Sequence, residues 1–348
     1  MDSLNYWKKR EEEALKHYIS DEKQYDKEIN RIYSDMLDGI QGEINAFYGK
    51  YAKSEGITLA EAKKRVSTLD IAAYERKAKR YVRAAAKDRA ANGGKTNKNG
   101  FYFSQRANEE MKIYNLTMKV NRLEMLKANI GLEMVKGHAE LETFMGDILQ
   151  GRTMEELERQ AGILGKTVKS NAQAARSIVN ASYKNATFSD RIWMYQDMMK
   201  ADLGKLLTQG MIQGKNPRVL AKDIERYVVG DKRKPYDKKG AKYYAERLMR
   251  TEMARVQTEA QKQSFERNGY SQYKFLANSG CCENCKNLDG KVFDVKDMLP
   301  GENAAPVHPH CRCSTVAISN RHKELEEWRD FIDNGGTNAQ WEKLKKQQ

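Results

Sequence analysis

Apolar residues recur at three- and four-residue steps early in the chain: Tyr25, Ile29, Ile32, Met36, Ile40, Ile44, Phe47 and Tyr51. That spacing follows the turn of an α-helix and places them on one stripe, so the first fifty residues are predicted to form one long helix. Gly56 ends it, and Thr58 with Glu61 supplies a capping box for a second helix. In YERKAKRYVRAAAKDRA, residues 74–90, the stripe narrows to Tyr74, Ala78, Tyr81 and Ala85, while Arg76, Arg80, Arg83 and Lys87 line the opposite side. A polar loop at 92–100, NGGKTNKNG, comes next. Ile113, Leu116, Val120, Leu123 and Ile130 then resume a heptad-like spacing, predicting a further long helix towards Leu149. The N-terminal region therefore reads as long antiparallel helices, with a spacing that partner helices could also satisfy.

A middle helical segment is expected from about Thr153 to Val229. In GKNPRVLAKDIERYV one helix ends at Gly214, Asn216 serves as N-cap, and Pro217 occupies the first position of the next. GMIQGKN is not a phosphate loop: its glycines are too close, Asn216 stands where Ser or Thr is needed, and no strand precedes it. GDKRKPYDKKGAK, 230–242, reads as a charged linker, followed by a helix to Gly269. Only then does the period shorten. YSQYKFLA, KVFDV and CSTVAI are short, bounded by glycine or proline, and rich in β-branched and aromatic residues. They predict a small sheet packed on the preceding helix, and the tail from Arg321 one last amphipathic helix. The fold class is thus mainly α, with long helices leading into a small α+β C-terminal domain. The expected divisions are 1–152, 153–232, 233–320 and 321–348.

Composition narrows the function classes. The 348 residues carry a formal net charge of +14, with 32% charged and 40% hydrophobic residues. The pI is near 9.3 and the mean hydropathy is −0.83. Residues 50–98 hold 14 basic and 5 acidic residues, and 215–274 hold 16 and 8. Such stripes are either solvated faces or contacts for a polyanion. Arg76, Arg80, Arg83 and Lys87 in the first stretch, and Lys232, Arg233, Lys234, Lys238 and Lys239 in the second, are the candidate contacts for nucleic acid or an acidic partner. The opening MDSLNYWKKREEE has no apolar core, and no stretch approaches a membrane span. The expectation is a chain made and kept in a reducing cytoplasm, which weakens a disulfide reading.

All five cysteines lie in CCENCKNLDG (281–290) and VHPHCRC (307–313), with two of the five histidines. Cys282 and Cys285 form a C-x-x-C, a spacing that lets two thiolates meet one ion from a tight turn. His308 and Cys311 form an H-x-x-C, and Cys313 stands two residues on, facing the same side of an extended chain. Tetrahedral zinc takes four such ligands, so Cys282, Cys285, His308 and either Cys311 or Cys313 are the candidate set. Cys281 and His310 are the less well spaced neighbours. Thiols packed beneath the sheet are the competing reading. A redox pair would need the C-x-x-C to open a helix, and a cysteine nucleophile would need an oxyanion hole and an orienting acid, neither recognisable here. A closed four-ligand site is structural: it clamps a sheet too small to hold its own core.

Taken together, these residues resemble the minor head, or head-morphogenesis, proteins of tailed bacteriophages (Mu F-like). The family's motifs stand here as Arg250-Thr251-Glu252, Cys282 and Cys285, Leu288-Asp289-Gly290, Val292-Phe293, and Pro306 to Cys313. FSDRIWMYQDMMKADLGKLLTQGMIQGKNPRVLAKDI, 188–224, is similar to the family's middle segment, and the likeness spans roughly 182–318. The resemblance implies a non-enzymatic virion protein inside the capsid at the portal vertex. The portal protein and packaged double-stranded DNA would be its partners, with the major capsid or scaffolding protein as further ones. Within the motifs, Glu246 and Arg250 are spaced for an i,i+4 pair, and Asp289-Gly290 for a turn. Trp193 and Trp328 read as packing anchors.

The alternatives are a zinc-stapled HNH-like nuclease and a non-specific DNA-binding protein. The first lacks an Asp-His pair on the intervening strand. The second fits a chain with neither a helix-turn-helix nor repeated fingers.

Overall fold

The computed structural model describes residues 3–52, 76–77, 79–81, 83, 122–164, 171–212, 217–230, 239–318 and 328–347. The protein is mainly helical: α1 (Ser3–Ala52), α2 (Arg122–Leu164), α3 (Asn171–Val179), α4 (Phe188–Ile212), α5 (Pro217–Val229) and α6 (Ala241–Arg267). Then come β1 (Gln272–Leu276), the one-turn α7 (Glu283–Lys286), β2 (Val292–Asp294), β3 (Ser314–Ile318) and α8 (Asn338–Gln347). No helix among the described residues is long and apolar enough to cross a membrane.

The apolar stripe of α1 does what its period predicts. Ile29, Ile32, Met36, Ile40 and Ile44 are buried, Tyr25 and Phe47 pack at the margin, and the side chain of Tyr51 lies outside the described residues. Opposite them stand Leu126, Ile130, Met134, Leu141, Met145 and Leu149 of α2. The pairs Glu11–Arg159 and Arg31–Glu140 show that α1 and α2 run antiparallel. The described residues of the 74–90 stretch are helical and lie on this pair. Lys77 meets Glu133 at 2.9 Å, and Tyr81 donates to the same carboxylate at 3.0 Å. Arg76, Arg80 and Arg83 are exposed on the far side. Lys87, Lys232, Arg233, Lys234 and Lys238 lie outside the described residues, as do the Thr58–Glu61 box and positions 113–120.

α2 departs from its expected end near Leu149, running on to Leu164, so the division drawn at 152/153 falls inside a helix. The reason is a polar inner face. Arg152, Thr153, Glu156 and Gln160 are all buried. Thr153 Oγ1 donates to the Leu149 carbonyl at 2.7 Å, and Arg152 donates to Gln257 Oε1 at 3.0 Å. Glu156 accepts from Arg159, Gln160 and Gln261, each at 2.8–2.9 Å. The apolar positions thin out to Leu157 there, and hydrogen bonds fill the rest of the inner face.

α3 to α6 close the main core, with Trp193 fully buried and its Nε1 donating to Glu142 at 3.1 Å. α6 leads into a three-stranded antiparallel sheet of order β2-β1-β3, the three strands that the sequence predicts. Phe265, Tyr273, Val295 and Met298 join sheet to helix. At the start of α6, Gly240 lies so close to the end of α5 that a Cβ on it would sit 2.6 Å from the Val228 carbonyl oxygen. The tail is two helices rather than one, residues 328–333 and α8. Gly335, at φ +85°, turns the chain, and a side chain at Gly336 would strike the Phe331 ring. Thr337 and Gln340 then cap α8 reciprocally, at 3.0 and 3.4 Å.

Candidate metal centre

β1 is the middle strand, and the two cysteine segments sit on either side of its end. From Leu276 the chain loops through α7 to β2. Phe275 N–H bonds to the Lys291 carbonyl at 3.0 Å, and Gly290 N–H to that of Phe275 at 2.9 Å, closing the loop. Gly290 has φ +75°, a conformation that residues with a Cβ rarely adopt. Cys282 is the N-cap of the single turn of α7, so the C-x-x-C does open a short helix, contrary to expectation, and Lys286 N–H bonds back to the Cys282 carbonyl at 2.9 Å. On the other side, Leu276 pairs with Ser314, so Cys313 and Cys311 arrive beside the same strand end.

This arrangement brings together every residue of the candidate ligand set. Cys282 Sγ and Cys285 Sγ lie 3.1 and 3.2 Å from His308 Nε2, and Cys285 Sγ lies 3.8 Å from Cys311 Sγ. Ligand atoms of Cys282, Cys285 and His308 are all within 4.8 Å of one another, as are those of Cys285, Cys311 and Cys313. Two sulfurs bound tetrahedrally at zinc's usual bond length stand about 3.8 Å apart, the Cys285–Cys311 separation. The sulfur–nitrogen distances are a few tenths of an ångström shorter than such a site requires. His308 Nδ1 is 2.8 Å from the Pro309 carbonyl. A proton on Nδ1 donated to that oxygen leaves the Nε2 lone pair aimed at the sulfurs, the usual way a ligating imidazole is oriented.

The thiols share charge unequally. A hydrogen bond from Cys313 holds Cys311 down to about 5 against the cost of burial, while Cys313 itself is pushed well above a normal thiol. Burial, and then the Cys311 charge, also raises Cys285. Cys282 is lowered by backbone hydrogen bonds in its own turn. A buried group of sulfurs that resists further ionisation is suited to a cation, which would neutralise the extra thiolates. Cys285, Cys311 and Cys313 are buried, Cys282 is exposed, and Cys281 is half-buried outside both triads. His310 turns away at φ +66°, its Nε2 lying 3.1 Å from the Tyr243 hydroxyl. Burial and the charges of Arg250, Arg247, Arg312 and Lys239 lower its pKa.

The remaining motif residues hold this module in place. Asp289 accepts from the Ala277 N–H at 3.0 Å and pairs with Lys8 of α1 at 2.6 Å. Arg250 reaches across to Glu22 at 3.3 Å and also to Asp26, instead of pairing with Glu246, whose ion-pair partner is Lys242 at 3.4 Å. Arg312, between the two cysteines, meets the other oxygen of Glu22 at 3.1 Å. Glu252 lies inside, 1% exposed, bonded to Arg255 at 2.6 Å and Arg191 at 3.0 Å. Arg255 then donates to the Ile178 and Val179 carbonyls, capping α3. Arg191 donates to the Ala186 carbonyl at 3.0 Å, fastening the loop before α4. Arg191, Arg255, Glu22 and Lys8 escaped the sequence reading. For Glu22 and Lys8 the only signal was the charged runs of α1, which fit a solvent-facing surface equally well, and Arg191 and Arg255 carried none.

No curated protein and no solved structure matches the chain. A family model does: residues 201–316, from the middle of α4 into β3, match the one described as "Phage Mu protein F like protein". The matched segment contains Arg250, Glu252, all five cysteines and His308, the residues that build and hold the centre. Over that segment, about a third of the chain, the sequence is similar to the Mu F-like phage proteins, which supports the resemblance carried by its motifs.

Proposed function

We propose that this chain is a structural minor head protein of a tailed phage, sited at the portal vertex inside the capsid, and that its family domain is clamped by one zinc ion. The observation that carries the reading is the Cys/His cluster itself, folded within the matched segment and strapped to α1. Its described neighbours are structural ion pairs, which supports a clamp rather than a reaction centre. Cys282, Cys285 and His308 would be three of the four ligands, with Cys311 or Cys313, which form a second triad with Cys285, as the fourth. Three sulfurs and an imidazole favour zinc over harder cations. The ion would supply only cross-linking, joining the α7 turn to the segment that leads into β3. The portal protein, packaged duplex DNA and the major capsid or scaffolding protein are the partners of this reading.

Two measurements test it. Elemental analysis of the purified chain should give about one zinc per molecule. Cys282→Ser/Cys285→Ser should lose it, with faster proteolysis around 277–313. Absence of metal under reducing, chelator-free conditions sinks the clamp. A tagged chain followed through infection should co-purify with portal rings and filled heads. Finding it only in the lysate, or finding Mg²⁺-dependent nicking of DNA by the pure protein, overturns the head-protein reading.

A further inference from the structure

The start of α6 carries a second feature, separate from the cysteine cluster. Four rings run side by side. Tyr195 lies 6.1 Å from Tyr244, Tyr244 lies 5.6 Å from Tyr243, and Tyr243 lies 5.7 Å from His310. Two cations rest on them: Lys239 Nζ is 4.0 Å from the centre of the Tyr243 ring, and the Arg247 guanidinium is 4.9 Å from that of Tyr244. Lys239 also donates to the Tyr243 hydroxyl at 2.9 Å, and that hydroxyl meets His310 Nε2 at 3.1 Å.

The cations nearby divide into two kinds. Lys242 is matched by Glu246, Arg250 by Glu22 and Asp26, and Arg312 by Glu22. Lys239 and Arg247 have no carboxylate partner among the described residues, and Lys239 and Tyr244 are exposed. An unneutralised pair of charges on the rim of an aromatic surface has unsatisfied demand for an anion. Rings beneath the charges keep the side chains extended and partly dehydrated, which strengthens their hold on an incoming phosphate.

We infer that Lys239, Tyr243, Tyr244, Arg247 and His310 form a docking patch for the phosphodiester backbone of nucleic acid. An acidic peptide would use the two charges alone. A nucleic acid also uses the ring faces and the hydroxyl–imidazole pair, so the whole patch fits it better. The same phosphates come from a duplex or from a single strand, and the rings are fully used only by the second. The inference takes its biological setting from the head-protein reading, but its chemistry stands apart from it.

The test uses the full chain and short labelled DNA of mixed sequence, duplex and single-stranded, titrated from low to high salt. Lys239→Ala/Arg247→Ala should weaken binding roughly tenfold near 0.1 M salt and reduce the slope of log K against log salt by about two. Arg247→Lys, which keeps the charge, should recover most of a single Arg247→Ala loss. Tyr243→Ala should weaken single-strand binding more than duplex binding if bases stack on the ring, and both alike if only phosphates are held. Unchanged affinity and slope in the double variant, no salt-dependent binding by the wild type, or patch-dependent binding of polyglutamate but not DNA each overturns the inference. Co-purification with heads is scored separately, so the patch can fail while the head-protein reading stands, and the reverse.

Discussion

Between Ile29 and Ile44, α1 is held by apolar side chains that are almost wholly out of water, whereas between Lys8 and Asp26 it is held mostly by charges. The first half is part of the main core. The second half lies across the cysteine module, touching Asp289, Ser314, Arg250 and Arg312. A small cavity of about 50 Å³ remains in this seam, lined by Lys8, Glu22, Cys311 and Cys313 among others. The two attachments obey different physics. Burial of apolar area is insensitive to salt and strong per residue. Ion pairs lose much of their Coulomb gain to desolvation and screening, and mainly fix position. One helix therefore serves as a core element at one end and as a positioning strap at the other.

This contrast can be broken by mutation. The largest effect is expected for Ile32→Ala in the apolar half. It should cost roughly 2–5 kcal/mol of global stability, read from urea melts of the full chain. If Ile32→Ala melts like wild type, the apolar half is not what anchors α1.

A pH titration probes the same half through His138, which is fully buried with Nδ1 against the Met134 carbonyl. Burial lowers its pKa from 6.5 to about 4. The unfolded chain therefore binds a proton that the folded chain refuses. Stability should fall as pH drops below about 6.5 and level off near 4, a loss on the order of 3 kcal/mol. His138→Gln should remove that part of the pH dependence. A wild type and a variant with parallel stability curves between pH 7 and 4.5 would show that His138 does not titrate on unfolding.

The smallest effect is expected in the strap. Glu22→Ala removes the shared partner of Arg250 and Arg312, leaving Arg250 with Asp26, and should cost roughly 1–2 kcal/mol, shrinking in high salt. Its clearer readout is local. Hydrogen exchange should quicken in 277–291 and 306–313 while the Ile29–Ile44 helix keeps its protection. Equal loss of protection at both ends would mean that the two halves are not separable.

The distinction also marks what the amino-acid order makes legible. Apolar periods reveal α1 and the three strands, because each follows from local backbone chemistry. The gathering of the cysteine segments is legible too: both flank one predicted sheet, and their ligand spacings are short-range. The polar contacts are not. Glu22 and Arg312 are separated by most of the chain, and an acidic residue on a charged helix carries no mark of the partner it will meet. Glu252 stands among charged residues in the sequence, which by itself would place it at the surface. Inside the fold, those same neighbours are what allow it to be buried. The continuation of α2 past Leu149 was hidden for a related reason. Arg152, Thr153, Glu156 and Gln160 carry no apolar period, yet all four are buried in hydrogen bonds inside the fold.

The close approach of Gly230 and Gly240 has a consequence for how the chain can change. The described backbone stops at Gly230 and resumes at Lys239, and a Cβ on Gly240 would strike the Gly230 nitrogen. A side chain at 240 would force those two backbones apart, so the glycine is a costly position to change. Lengthening a connection whose ends are already together costs only about 0.6 kcal/mol for each doubling. Insertions and deletions between Asp231 and Lys238 should therefore accumulate across relatives without disturbing α5 or α6. That makes this connection a natural place for one phage lineage to diverge from another, and a practical one for an epitope or a fluorophore.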